Sequence, residues 1–171
     1  MTEPLVLITG AGGYLGRLLA RRYIDDGVAV LLAVRGPGRG ERLAAQLGPG
    51  RGPLDFVDVD LDHDDPFAAV DPRWRRSITA VVHAAAVTRF NVDREVARRV
   101  NVEGTRRALE LARSCPALES FGQLSTVYST GLRAGRISEQ DYDDSAGFAN
   151  AYEWSKWEAE RLVVGAGDIP W

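Results

Sequence analysis

Tyr152 and Lys156 stand four residues apart in Tyr152-Glu153-Trp154-Ser155-Lys156, a spacing that sets both side chains on one face of a helix. A phenol, with an ordinary pKa of about 10, is a poor acid or base at neutral pH. An ammonium group beside it favours the phenolate and brings proton transfer into a useful range. The spacing alone arises often by chance, and on an exposed helix it is usually inert. Two features add weight. Lys156 is the only lysine among 21 basic residues. A GC-rich genome would account for the arginines, yet lysine's compact ammonium is not equivalent to a guanidinium and should survive where arginine cannot serve. Upstream, Leu124-Ser125-Thr126-Val127-Tyr128-Ser129-Thr130-Gly131 reads as a hydroxyl-rich strand end, where a hydroxyl can donate to a carbonyl oxygen beside Tyr152. Taken alone, that run is a serine/threonine turn capping a strand.

A second constellation lies near the start of the chain. Gly10, Gly13 and Gly16 form Thr9-Gly10-x-x-Gly13-x-x-Gly16 between an apolar run and a helical pattern. A chain that turns sharply, presents N–H groups to a pyrophosphate and packs a helix close to a sheet needs residues without a Cβ. Leu15 excludes the G-x-G-x-x-G form, leaving the wider G-x-x-G-x-x-G. Its place in the first strand–turn–helix reads as a dinucleotide-binding turn. The second strand ends Leu32-Ala33-Val34-Arg35, with no carboxylate to receive the ribose hydroxyls of NAD. Arg35, backed by Arg39 and Arg42, would instead meet a 2′-phosphate with charge-assisted hydrogen bonds, which points to NADP(H) over NAD(H). Asp60 and Leu61 are placed to contact the adenine, within a crowd of aspartates that are mostly solvated. Lys156 is able to reach the ribose hydroxyls of a nicotinamide nucleotide.

The elements that must position these groups follow from periodicity and breakers. Leu5–Thr9, Val28–Val34, Leu54–Val59, Ile78–Val82 and Leu118–Leu124 read as strands. Helices are expected over Tyr14–Asp26, capped by Gly27, over Glu41–Leu47, near Phe67–Val70, over Asp93–Ser114 and over Ala151–Val164. Arg35–Gly40 and the acidic stretch Gly131–Gly147 read as loops. Alternating strands and helices imply parallel pairing with right-handed crossovers, hence a doubly wound α/β sheet. At such a sheet's strand ends ligands bind.

Bulk properties agree with one soluble domain: 171 residues, 45% hydrophobic and 26% charged. A net charge of −3 gives no basic footprint for nucleic acid. The apolar runs are too short to span a bilayer, and the acidic N-terminus does not resemble a signal peptide. Cys115 has no disulfide partner, and no His/Cys cluster suggests a metal. A cytoplasmic protein is the default expectation. His83, at a strand end, reads as a packed, hydrogen-bonded residue without chemistry. Tyr128 and Trp154 belong either to the substrate side or to the core.

Taken together, these motifs resemble the extended short-chain dehydrogenase/reductases along essentially the whole chain. Besides the glycine turn, Asp60-Leu61, Ser125-Thr126 and Tyr152-x-x-x-Lys156, two further segments match. His83-Ala84-Ala85-Ala86 is similar to the segment whose Ala84 and Ala85 would pack along the cofactor. Asn101-Val102-Glu103-Gly104-Thr105 is similar to the helix motif whose asparagine supports the active site. The resemblance implies a Rossmann domain over residues 1–171. Its cofactor residues would be Gly10, Gly13, Tyr14, Leu15, Gly16, Arg35, Asp60, Leu61, Ala84, Ala85 and Lys156, and its catalytic residues Thr126, Tyr152, Lys156 and Asn101, the last through a proton-relay water. Within the family, the segments around Thr126 and Lys156 look most like thioester reductases and fatty acyl reductases. These reduce carrier-bound or CoA thioesters with NADPH, and there Thr126 rather than Ser125 takes the hydroxyl role. A sugar-nucleotide epimerase or dehydratase that retains NAD(P) shares nearly all these motifs. A redox-sensing NADP-binding regulator is a third alternative, although such relatives tend to lack the tyrosine–lysine pair. The small-molecule substrate would accordingly be an acyl thioester, with no nucleic acid or membrane partner and a homodimer as a further expectation. Members usually continue with a sixth strand and a C-terminal substrate region. A chain stopping at Ile169-Pro170-Trp171 is thus expected to be truncated before them.

Overall fold

The computed structural model describes residues 4–171; residues 1–3, on which the reading of the N-terminus partly rests, lie outside the described residues. Strands β1 (Leu5–Thr9), β2 (Ala29–Val34), β3 (Leu54–Asp58), β4 (Ile78–His83) and β5 (Ser120–Gln123) pair in parallel in the order β3-β2-β1-β4-β5. The run Leu-Val-Leu-Ile-Thr of β1 is buried at all five positions, as a central strand covered on both faces requires. Helices α1 (Tyr14–Asp25) and α2 (Arg39–Leu47) cover one face, with Ala20, Ile24 and Leu43 packed on Val6, Ile8 and Leu32. Helices α5 (Gly104–Arg113) and α6 (Ala151–Val164) cover the other, with Leu109, Ala112 and Val163 packed on Leu7, Val81 and Phe121. The chain order reverses between β1 and β4, and a crevice opens at their carboxyl ends, as in any doubly wound sheet. Among the described residues no helix is long and apolar enough to cross a membrane.

Three expectations are corrected. The helix expected near Phe67–Val70 is a turn, because Phe67 and Val70 insert into the core while Arg75 takes both their carbonyls, at 2.9 and 3.0 Å. The helix forms later, as α3 (Pro72–Ser77), where Asp71 accepts from Arg73 N–H at 2.7 Å and Pro72 occupies the first turn. Helix α2 starts at Arg39, inside the expected loop, after Gly38 in left-handed conformation at φ 66°. The long helix over 93–114 is continuous but not uniform: α4 (Arg94–Ala97) passes into a π-helical segment, Arg98–Glu103, before α5. Two tertiary contacts accompany that widening. Leu61 presses on Gly104 where a Cβ would sit 3.0 Å from Leu61 Cδ1, and Asn101 turns inward to bond across the fold.

The stretch 131–147 is the loop expected, and it is tied down. Arg133 pairs with Asp141 at 2.7 Å and donates to Thr130 O at 3.0 Å, while Trp157 Nε1 donates to Tyr142 O at 3.1 Å.

Candidate active site

The crevice is a cavity of about 1170 Å³ that runs from α2 past the glycine turn to α6. Its floor is main chain. Gly10, at φ 67°, lies so close to the segment after β4 that a Cβ would stand 2.6 Å from Ala85 N. A Cβ on Gly16 would overlap Gly10 O. Gly12 and Gly13 border the opening, with nothing within 4 Å of a Cβ on Gly12. Helix α1 therefore starts on the cavity with no side-chain cap and no acidic residue in its first turn. Its first N–H groups and the positive end of its dipole are left for an anion. Tyr14 and Leu15 flank this opening, 72% and 55% exposed.

At the α2 end, Arg35, Arg39 and Arg42 all line the cavity. Reading along the chain found no carboxylate at the end of β2, but the parallel register supplies two. Val34 pairs with Asp58, whose Oδ1 accepts from Gly36 N–H at 2.7 Å, and Asp60 Oδ1 lies 4.0 Å from Arg35 Nη1. Asp60 and Leu61 both line the cavity, Leu61 from its packed position against Gly104.

Thr9 and His83 fix the middle. Thr9 Oγ1 accepts from Ala85 N–H at 3.2 Å and lies 2.8 Å from His83 Nδ1. His83 is buried, and burial, with Lys156 nearby, pushes its pKa down to about 3, so the ring is neutral. It has the packed role expected, holding the turn that carries Ala84 and Ala85 along the cavity wall.

At the far end, α6 is started by Asn150, which accepts from Glu153 N–H at 3.0 Å while Glu153 accepts from Ala149 N–H at 2.9 Å. This puts Tyr152 in the first turn and Lys156 one turn on, and both line the cavity. Lys156 is 4% exposed, and its Nζ donates to Leu124 O at 2.7 Å. Burial lowers its pKa to about 8, against an opposing pull from Glu160. Between the pair, Ser155 donates to Tyr152 O at 2.8 Å and accepts from Asn101 Nδ2 at 2.9 Å. The Asn101 carboxamide also clasps Val87 in both directions, accepting from its N–H at 2.8 Å and donating to its carbonyl at 3.0 Å. Asn101 is buried, and its carboxamide is engaged with Val87 and Ser155 rather than lining the cavity. Of the two hydroxyls after β5, Ser125 lines the cavity. Thr126 Oγ1 accepts from Tyr128 N–H at 3.3 Å in a tight turn over Val127–Thr130, which leaves its own proton free to donate. The structure thus gathers Tyr152, Lys156 and Ser125 on one cavity, with Asn101 reaching the helix through Ser155, while Thr126 is not among the residues that line it. Ser155, Val87 and Thr9 were not singled out by sequence; a polar residue at a buried helix position was the only signal for Ser155.

A parallel sheet with a glycine turn at its switch point and a Tyr–Lys helix beside it is the architecture of the short-chain dehydrogenase/reductases. The family described as male sterility protein, of extended short-chain dehydrogenase/reductase type, matches residues 69–171, and the chain belongs to it. It is 29% identical over 161 residues to dTDP-6-deoxy-L-talose 4-dehydrogenase (NAD(P)(+)) of Kitasatospora kifunensis, covering 94% of this chain and 47% of that enzyme. To fatty acyl-CoA reductase 1 of Xenopus laevis it is 28% identical over 183 residues, covering 92% of this chain and 34% of that one. The chain thus spans less than half the length of these relatives. Among solved structures, the terminal R domain from the myxalamid PKS-NRPS biosynthetic pathway is similar with a TM-score of 0.75 at 26% identity, covering 98% of this chain and 48% of that one. The yeast methylglyoxal/isovaleraldehyde reductase complexed with NADPH shares the fold, with a TM-score of 0.77 at 18% identity over 94% of this chain and 52% of that one.

Proposed function

We propose that this chain is the NADP(H)-binding, catalytic part of a reductase that acts on the carbonyl carbon of an acyl thioester carried by CoA or a carrier protein. The observation that carries the reading is that Tyr152 and Lys156 line one end of the same cavity whose floor is the Gly10–Gly16 turn. The residues fit a nicotinamide dinucleotide: uncapped N–H groups for the pyrophosphate, three arginines for a 2′-phosphate, and Asp60 with Leu61 beside the adenine. When bound, the nicotinamide supplies the hydride. Tyr14, Leu15, Ala84 and Ala85, which line the cavity, would wall a bound dinucleotide. Tyr152 donates its hydroxyl proton to the substrate oxygen, and Thr126 hydrogen-bonds the same oxygen. Lys156 would lend its charge to Tyr152 and hold the ribose of a bound nucleotide, while Asn101 holds Ser155 and Val87 in place around them. The fatty acyl-CoA reductase and R-domain relatives support the thioester as substrate.

The test is consumption of NADPH against a panel of acyl thioesters, with NADH as control. Tyr152→Phe should abolish turnover, by about a thousandfold or more, while leaving NADPH affinity nearly intact. An equal loss of both would sink the assignment. A second reading, hydride chemistry on a sugar nucleotide, is favoured by the talose dehydrogenase relative. Purified protein that retains NAD⁺ tightly would favour it; exchangeable NADPH favours thioester reduction.

A further inference from the structure

Thr9, His83 and Gln123 are the last residues of β1, β4 and β5, and the register sets them side by side. Each lies two residues past Leu7, Val81 or Phe121, so all three face the α5 and α6 side of the sheet. Thr9 Oγ1 takes His83 Nδ1 at 2.8 Å, and Phe121 stacks on the His83 ring with centroids 6.4 Å apart. His83 Nε2 and both polar atoms of the Gln123 amide are buried without a hydrogen-bond partner among the described residues. An unmade bond in such a place costs the desolvation of the group, and buried amides are seldom left so. An aliphatic side chain at position 123 would avoid that cost; the amide therefore calls for a polar partner.

Helix α6 brings one to the same strand ends. Lys156 Nζ donates to the carbonyl of Leu124, the residue after Gln123, at 2.7 Å, and its charge bears on the His83 ring. An ammonium has three N–H donors, and Leu124 takes one of them. Asn101 takes none, because its carboxamide is committed to Val87 and Ser155. A water that touched Lys156, His83 Nε2 and the Gln123 amide would have the polar partners, about three, that a buried water takes. The titratable groups facing Lys156 are Tyr152 and Glu160 of its own helix and the neutral His83 of β4. The π-helical segment and β5 present the uncharged amides of Asn101 and Gln123.

We propose that Gln123, with His83, is a positioning residue for Lys156: through one buried water its amide oxygen holds an ammonium N–H and keeps the lysine charged and in place beside Tyr152. The inference rests on Lys156 serving Tyr152 and the ribose, as in the proposed function. Lys156 is the only lysine of the chain, so protein grown with lysine carrying ¹³C at Cε gives a single resonance whose position against pH is the titration of this ammonium. The parent midpoint should lie at about 8. In Gln123→Met, which keeps the length of the side chain and removes the acceptor, the midpoint should fall by about one pH unit. In Gln123→Glu, which adds a charge of opposite sign, it should rise by about one pH unit or more. A glutamine that only fills space leaves the Gln123→Met midpoint at the parent value, and that result overturns the inference. A Gln123→Glu midpoint at or below the parent value overturns it as well, and decides the matter if the methionine variant does not fold. The midpoint is read without turnover. If it moves as expected and no thioester is reduced, the proposed reduction fails and the role of Gln123 stands; an unmoved midpoint in an active reductase means the reverse.

Discussion

The two ends of the cavity are built on opposite principles. The turn at Gly10–Gly16 is contiguous in sequence and works by what is missing: no Cβ between Gly10 and Ala85, none between Gly16 and Gly10, no side chain capping α1. The end at Tyr152 works by side chains drawn from remote segments. Asn101 reaches 54 residues along the chain to Ser155, and Lys156 reaches 32 residues back to the carbonyl of Leu124. A site made of main chain is read easily and leaves no room for an added atom at Gly10 or Gly16. A site made of side chains is read only in part, and it depends on every clasp.

Substitutions at each end should expose that contrast. At the first end, Gly10→Ala adds a methyl at a left-handed φ and into Ala85, and should cost about 3 kcal/mol of stability and most of the cofactor affinity. Thermal unfolding and NADPH titration check it; unchanged values would mean that the turn can open. At the second end, Asn101→Ala strands the N–H and carbonyl of Val87 and one contact of Ser155, and should cost about 2 kcal/mol. Turnover should fall more than NADPH affinity does. If affinity falls first, the clasp serves the cofactor rather than Tyr152. The smallest effect is a matter of pH. Lys156, brought down to about 8 by burial, loses its ammonium as pH rises through that value. Turnover should then drop about tenfold per unit above it, as for one essential protonated group. A profile flat to pH 10 would show that the ammonium is dispensable or that bound cofactor raises its pKa.

How much of this was legible followed the same division. The strands, the glycine turn and the Tyr–Lys helix could be read because each is a local pattern of apolar runs, missing side chains or helical spacing. In the polar stretch 62–76 the helix forms over Pro72–Ser77 rather than near Phe67–Val70, because Asp71 caps it and Pro72 fills its first turn while Phe67 and Val70 are buried in the core. Asp58 and Asp60 escaped notice as neighbours of Arg35, since only the β2–β3 register makes them so. The family resemblance gives the hydroxyl role to Thr126, whereas it is Ser125 that lines the cavity, since adjacent residues at a strand end face opposite ways. Phe90 carries no sequence signal: its contact with Tyr152 spans 62 positions of chain (152 − 90) and follows no period.

By itself, then, the sequence determined the doubly wound sheet, the place of the dinucleotide turn and the pairing of Tyr152 with Lys156, because steric exclusion and helical periodicity act within a few residues. Tertiary structure alone decided the π-helical widening at Asn101, the burial that lowers Lys156 and neutralises His83, and the ring contact between Phe90 and Tyr152. Each of those rests on packing between segments remote in sequence, where desolvation and hydrogen-bond closure depend on the neighbours that folding brings.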